Sequence, residues 1–263
     1  MPRNDLSIFS SLGARKLSFQ PAAIARFLVY VIAFLFCAHT VAFVCDYVVR
    51  SRSGFSRNMV RYFDFNLENN FPAYFSVLLL AFSAFLLFII YAANRTKKGG
   101  RANYWFVLGL LFVFLSIDEC IQIHEHIAEL VRPKLSSDIS GLLYWSWVVV
   151  YAVLVVVVVV GFLRFVLDLP KATRNLFFLS GVMFVSGALG MELLEGYFYK
   201  LGYGHILNRM LFCLEELLEM GGVTVFIYAL LNYIMMVKIS INIIADANVN
   251  TSTVVQEKAI LSD

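Results

Sequence analysis

Long apolar runs alternate along the chain with short polar connections. The runs lie at residues 22–49, 72–94, 103–127, 143–167, 175–199 and 209–237. A hydrocarbon core about 30 Å thick is crossed by roughly 20 apolar residues in a helix, so each run is long enough to span a membrane. The short connections favour a single domain. The pattern therefore predicts an all-α fold, a polytopic membrane helix bundle with six transmembrane helices.

The segments at both ends are more polar than this transmembrane domain, which we predict at residues 22–237. Residues 1–21 are too polar, and the apolar run after them is too long, for a cleaved signal peptide. We interpret them as a cytoplasmic leader that is either an interfacial amphipathic helix or an unstructured basic segment. Residues 238–263 begin as a short extension of the last helix and then become polar, which predicts a cytoplasmic tail.

Composition limits the class of protein. Hydrophobic residues make up 60% of the sequence and charged residues 15%, and the mean hydropathy is +0.78, which excludes an ordinary soluble domain. The net charge of +3 comes without the basic stripe that is typical of nucleic-acid binding, so we expect no nucleic-acid partner. The lipid bilayer is the expected partner, and the sequence leaves open whether the protein forms an oligomer.

Lysine and arginine residues indicate how the helices are oriented. Cytoplasmic loops of membrane proteins carry an excess of these residues. The short connection between the second and third runs contains Arg95, Lys97, Lys98 and Arg101, which favours a cytoplasmic position for this loop and for both termini. The arginines of the first outer loop weigh against this orientation, although the sum over all loops favours it.

Acidic and histidine residues concentrate at the outer side of the bundle when it is oriented in this way. Several lie inside apolar runs, where a charge costs about 2.5 kcal/mol or more and marks a functional site by default. The signal comes from three groups: Asp118 with Glu119, Glu192 with Glu195, and Glu215 and Glu216 with Glu219.

Helical phase predicts that the third helix presents a polar stripe. Because each residue turns about 100° around the helix axis, one face carries Asp118, Glu119, Gln122, Glu125 and His126. His124 is expected to point elsewhere.

The acids of the fifth and sixth helices are expected to meet this stripe. Glu192 and Glu195 share one helix face, and the three glutamates of the sixth helix share another. If the helices pack as neighbours, carboxylate oxygens from all three should lie within roughly 8 Å of one another. The fourth run is expected to face lipid, because its residues 148–160 are apolar except for Tyr151.

Acids that converge in this way must share protons or hold a cation, because like charges repel. Carboxylates with one or two imidazoles suit Fe, Mn or Zn, and they suit Ca or Mg if histidine is not a ligand. We therefore predict a divalent metal ion. The candidate metal ligands are Asp118, Glu119, His126, Glu192, Glu195, Glu216 and Glu219. Glu125 and Glu215 are the candidate catalytic proton carriers.

Each group also has a structural interpretation. Glu192 and Glu195 fit a solvated helix end about as well as a site. The outer part of the third-helix stripe, which is Glu125, Glu129 and Arg132, fits a wet helix end. The whole set is also compatible with a protonated, salt-bridged network that only joins the helices. His39 fits a hydrogen-bonded core histidine slightly better than a ligand. The four cysteines form no Cys-x-x-Cys pair and fit small apolar fillers.

Three functions therefore remain open. The first is a metal-binding site that opens to the extracytoplasmic side and supports membrane-embedded hydrolytic or oxidative chemistry on a lipid-like or small-molecule substrate. The second is a cation or proton-coupled transporter that uses the same acids. The third is a non-catalytic assembly or sensor subunit. Whether the protein is an enzyme stays undecided, although familiar hydrolase, metalloprotease and phosphate-loop motifs are missing.

Four segments resemble the motifs of a family of uncharacterised bacterial multi-pass membrane proteins. They are residues 63–72 (FDFNLENNFP), 115–119 (LSIDE) with His124-Glu125, 187–192 (GALGME) and 214–220 (LEELLEM). The resemblance covers about residues 60–235 and implies a bacterial inner membrane, but it implies no activity. It also draws attention to Asp64 and Glu68, which spacing alone marks as ordinary loop acids.

Overall fold

The all-helical architecture is the first feature of the computed structural model, which describes residues 20–50, 53–95, 101–135, 144, 146–199 and 205–237. Within these residues every regular element is a helix and no strand occurs. The all-α prediction is therefore confirmed for this part of the chain. The predicted leader and the predicted tail, residues 1–21 and 238–263, lie almost entirely outside the described residues.

Nine α-helices and two π-helical segments make up the described part of the chain. In chain order they are α1 (Pro21–Phe43) with a π-helical end at Val44–Val48, α2 (Gly54–Phe63), α3 (Phe71–Asn94), α4 (Ala102–Ile121), α5 (Ile123–Leu135), α6 (Trp147–Leu167), α7 (Lys171–Val185), a π-helical segment (Ser186–Met191), α8 (Glu192–Phe198) and α9 (Ile206–Met236).

Local sequence signals explain where several of these helices begin. Proline lies in the first turn of both α1 and α3. This position suits proline, because an N–H group in the first turn has no hydrogen-bond partner within the helix. Asn70 caps α3 by accepting a 3.1 Å hydrogen bond from the Ala73 N–H. Ser53 caps α2 by accepting one from the Ser56 N–H, also at 3.1 Å.

Five helical segments are long and apolar enough to cross a membrane. They are Pro21–Val48, Phe71–Asn94, Ala102–Ile121, Trp147–Leu167 and Lys171–Phe198. The predicted multi-pass helical membrane character is thereby supported, with bounds close to those expected for the first, second, fourth and fifth runs. The third run was expected to continue as one helix to residue 127. That expectation is wrong, because the helix ends at Ile121 and Gln122 adopts a left-handed conformation with φ 59°.

Helix α9 packs against α1, α3 and α7 and forms the centre of the core. Its C-terminal half buries Ile227, Leu230, Leu231 and Ile234. Gly222 allows the backbones of α7 and α9 to meet, because an added Cβ would lie 2.8 Å from the Phe184 nitrogen.

Helix α6 lies at the periphery and is held near its two ends. At one end Ser146, just before the helix, donates a 3.1 Å hydrogen bond to the Ala128 carbonyl. At the other end the Phe165 ring packs edge-on against Trp105. Most of the valines between these points are exposed, as expected for a lipid-facing helix. Tyr151 departs from that expectation, because it is buried.

Candidate functional site

A cavity of about 990 Å³ lies between α4, α5, α6, α7, the π-helical segment, α8 and α9. It has one strongly acidic part and one apolar part. The acidic residues of its lining are Glu68, Asp118, Glu119, Glu125, Glu129, Glu192, Glu195, Glu215, Glu216 and Glu219. Acids from all three expected helices therefore reach one cavity.

The π-helical segment Ser186–Met191 brings two of these acids to α9. A π-turn adds a residue to the helical turn and shifts the phase of everything after it, and such turns are frequent at functional sites. Gly187 makes close packing feasible, because an added Cβ would lie 2.8 Å from Glu219 Cγ and 2.9 Å from the Glu215 carbonyl oxygen. The chain after Gly187 therefore places Glu192 and Glu195 beside Glu215.

Glu192, Glu195 and Glu215 form the tightest acidic group among the described residues, and we call them the glutamate triad. One carboxylate oxygen from each lies within 4.8 Å of the others. Glu195 is only 2% exposed, and its carboxyl group has no hydrogen-bond partner other than the adjacent carboxyl group of Glu215, with which it can share a proton. The buried Oε2 of Glu192 also has none. Three carboxylates in this arrangement need a shared proton or a bound cation, since an unpaired buried charge is costly.

A second acidic group lies beside the triad. The charges of Glu119, Glu68 and Glu195 act on Glu216, and Glu219 lies within the influence of Glu216 and Glu119. These residues come from α4, α9 and the turn before α3. The acidic side chains therefore extend from the triad across the cavity.

Asp118 is the best-satisfied acid of the cavity. Its Oδ1 accepts a 2.8 Å hydrogen bond from the His124 N–H and lies 3.2 Å from Nδ1 of the same residue. Its Oδ2 accepts a 2.8 Å hydrogen bond from the Tyr151 hydroxyl. The left-handed Gln122 folds the chain back at this point, which allows His124 to face Asp118.

Electrostatics at the cavity mouth favour a charged His124. Burial lowers the pKa of His124, but the hydrogen bond to Asp118 and the charges of Asp118, Glu119 and Glu68 outweigh burial and hold that pKa above its ordinary value. Glu68 is exposed to the cavity space, yet desolvation there raises its pKa. The nearby charges of Glu125 and Asp118 raise it further.

Few cations are available to neutralise the acids. Arg209 donates a 3.1 Å hydrogen bond to Asp46 Oδ2 and also lies over the rings of Phe43 and Tyr47. The side chain of Arg132 lies outside the described residues. Among the residues that the structure describes, the cavity lining contains no lysine or arginine. His124 is therefore the one titratable base in the described lining.

The structure brings most of the predicted metal ligands to the cavity, but not all of them. Asp118, Glu119, Glu192, Glu195, Glu216 and Glu219 all line the cavity. His126 does not, since it is exposed and its Nδ1 makes a 2.8 Å hydrogen bond with the Gln122 carbonyl. The helix face predicted for His126 was wrong, because the third helix is interrupted at Gln122.

Both predicted proton carriers also line the cavity, in different surroundings. Glu215 belongs to the glutamate triad. Glu125 is exposed on α5 at the cavity mouth.

Sequence reasoning missed three residues of the cavity lining. His124 was expected to point away, Tyr151 to face lipid, and Glu68 was marked only by the resemblance of its motif. The left-handed backbone conformation of Gln122 could not be predicted from the sequence, because residues other than glycine adopt this conformation rarely. The single tyrosine in an otherwise aliphatic run was an available signal for Tyr151.

His39 has the structural role that the sequence favoured. Its Nδ1 accepts a 3.1 Å hydrogen bond from the Phe65 N–H, so the ring is neutral with its proton on Nε2. The ring also stacks on Phe65 with centroids 4.6 Å apart. Asn70 donates a 2.7 Å hydrogen bond to the Asp64 carbonyl. This turn holds residues 64–70, and with them Glu68, against the helices.

Comparison with known proteins identifies a family for this chain. The family model described as Domain of unknown function (DUF8692) matches residues 20–234. That range includes every residue of the cavity lining. No curated protein and no solved structure matches the chain.

Proposed function

We propose that this chain, which belongs to the family described as Domain of unknown function (DUF8692), is a membrane protein that binds a divalent cation at its glutamate triad. The observation that carries the proposal is the state of Glu195. Its carboxyl group is almost fully buried, receives no hydrogen bond from an N–H or hydroxyl group and lies against two further carboxyl groups. A divalent cation would satisfy all three groups at once.

The ligand chemistry favours a hard cation. The triad offers carboxylate oxygens alone, whereas His124 is engaged by Asp118. Oxygen-only sites suit Mg²⁺, Ca²⁺ and Mn²⁺ better than Zn²⁺. Glu119, Glu216 and Glu219 surround the triad as a proton-sharing shell in this account, and they remain candidate ligands for a second cation.

The membrane arrangement belongs to the same proposal. Helix α9 is the sixth transmembrane helix, although Glu215, Glu216 and Glu219 make its outer half unusually acidic. Both termini lie in the cytoplasm of a bacterial cell, and the cavity opens to the extracytoplasmic side of the inner membrane. The excess of lysine and arginine in the connection after α3 supports this orientation.

A second candidate function is metal-dependent chemistry at the same site, hydrolytic or oxidative. The hydrogen bonds that join His124, Asp118 and Tyr151 favour it. A histidine oriented by a carboxylate is a common general acid or base. In that case the triad would hold the metal, while His124 would move a proton at its free Nε2.

The test of cation binding is a calorimetric titration of the purified full-length chain with Mn²⁺, Mg²⁺ and Ca²⁺. The wild type should bind one of them with a stoichiometry near one. Glu195→Gln should weaken binding by about tenfold or more, because an amide is a poor ligand for hard cations. Asp168→Asn is the matched control, since Asp168 is exposed and lies outside the cavity lining. Absence of binding to the wild type would refute the proposal.

A further inference from the structure

The apolar part of the cavity lies between α6 and α7, which do not pack against each other along their middle. Val159 of α6 is 53% exposed and Val182 of α7 is 64% exposed, yet both line the cavity. The lining of α6 is apolar from Leu154 to Val166, a distance of about 18 Å along the helix. One leaflet of a hydrocarbon core is about 15 Å thick. The space therefore has the length and the chemistry of a single alkyl chain.

The two parts of the cavity are continuous, and this makes the whole space amphipathic. Tyr151 lies where they meet, three residues before Leu154, and its hydroxyl reaches Asp118. The polar end is acidic, because its described lining has many carboxyl groups and no lysine or arginine. Glu195 lines that end, and its two buried oxygens receive no hydrogen bond from an N–H or hydroxyl group. An anionic headgroup would be repelled there, and a cationic one would be attracted.

We infer that the cavity binds a long-chain amine, a cationic amphiphile whose alkyl chain lies between α6 and α7 and whose amine lies against the acids. The alkyl chain would cover the exposed side chains of Val159 and Val182, and the amine would donate hydrogen bonds to acidic groups of the lining. Charge complementarity selects the headgroup, and the length of the apolar part selects a long chain.

This inference goes beyond the proposed cation site, and the two occupants can coexist. A divalent ion at the triad would leave Glu68, Glu119, Glu216 and Glu219 to face a headgroup. Binding of the amine is therefore measured both with a chelator and with added Mn²⁺. If the protein bound the amine but not Mn²⁺, only the proposed function would be contradicted. If it bound Mn²⁺ but not the amine, only this inference would be contradicted.

The probe is a sixteen-carbon amine with a photoreactive diazirine at the end of its chain, added to the full-length protein in phosphatidylcholine nanodiscs. Peptide mapping by mass spectrometry should locate adducts on residues that line the cavity, such as Leu163 and Phe178. The corresponding alcohol should label these residues roughly tenfold less, because it lacks the charge. Excess butylamine should not compete, because it lacks the chain.

Two glycine variants provide a matched pair. Gly181 lines the cavity, and an added Cβ meets no atom within 4 Å. Gly181→Phe should therefore fill the cavity and reduce labelling about tenfold, since it displaces two or three methylenes of the chain. Gly161 on α6 has equally open surroundings but lies outside the lining. Gly161→Phe should leave labelling unchanged.

Several results would overturn the inference. Adducts confined to outward residues of α6 such as Val153 and Val157 would identify ordinary bilayer lipid as the occupant. Equal labelling by the amine and the alcohol would remove the role of the acids. Competition by butylamine would identify a site for small amines. The comparison of amine with alcohol uses the wild type alone, so it decides the question even if Gly181→Phe does not fold.

Discussion

The Tyr151 hydroxyl lies 2.8 Å from Asp118 Oδ2 and donates a hydrogen bond to it. Both side chains are buried, and the bond joins the peripheral helix α6 to α4. Asp118 also accepts the N–H of His124 at the start of α5. One carboxylate thus connects three helices at the mouth of the cavity.

Loss of this hydroxyl should destabilise the protein. Tyr151→Phe keeps the ring but leaves a buried carboxylate oxygen without its donor, which costs about 1–3 kcal/mol in the free energy of unfolding. Thermal unfolding of the purified protein measures the loss as a lower Tm. Tyr74→Phe is the control, because Tyr74 is exposed. Equal Tm values for the two variants would mean that the hydrogen bond does not stabilise α6.

The charge on His124 should make stability depend on pH. Its folded-state pKa is raised above the ordinary histidine value of 6.5, so the protonated ring stabilises the fold. This contribution is fully present below pH 6.5 and is lost as the pH rises through the folded-state pKa. His124→Gln should therefore lower the Tm most below pH 6.5 and progressively less at higher pH. A difference from wild type that grows with pH would contradict the assignment.

The two glycines of the π-helical segment provide a matched test of its packing. An added Cβ at Gly187 would lie 2.9 Å from the Glu215 carbonyl oxygen, whereas at Gly190 the nearest atom is 3.9 Å away. Gly187→Ala should cost about 1–3 kcal/mol of unfolding free energy and should weaken cation binding, because the triad is displaced. Gly190→Ala should be neutral or slightly stabilising. Chemical unfolding and calorimetry measure both effects. If the two variants had the same unfolding free energy and the same cation affinity, the close contact at Gly187 would not determine how this segment packs.

The positions of the long helices were predictable from the sequence because apolar runs of this length have few alternatives to a helix. The convergence of acids from α4, α8 and α9 was also predictable, since helical phase is reliable within an uninterrupted helix. Helical phase failed beyond Gln122, where one left-handed residue exchanged the roles of His124 and His126. The π-helical segment before Glu192 was equally hidden, because its sequence pattern resembles that of an ordinary α-helix.

Orientation in the membrane can be tested with reporter fusions. A reporter fused after Lys98 should be cytoplasmic and one at Ser136 should be external, because short loops rich in lysine and arginine stay inside. Alkaline phosphatase and fluorescent-protein fusions, active on opposite sides of the membrane, measure this directly. The reversed pattern would place the cavity mouth on the cytoplasmic side and would refute the proposed extracytoplasmic opening.

Cation binding at the glutamate triad is tested most directly by thermal unfolding of wild type and Glu195→Gln, each with chelator and with excess Mn²⁺. With chelator the variant should have the higher Tm, because it removes one of three neighbouring carboxyl groups that must share protons when no cation is bound. With Mn²⁺ at about 100 times its Kd, the wild type should gain roughly 2.7 kcal/mol in unfolding free energy, and the variant should gain much less. A wild-type Tm that does not change with Mn²⁺, Mg²⁺ or Ca²⁺ would contradict the account.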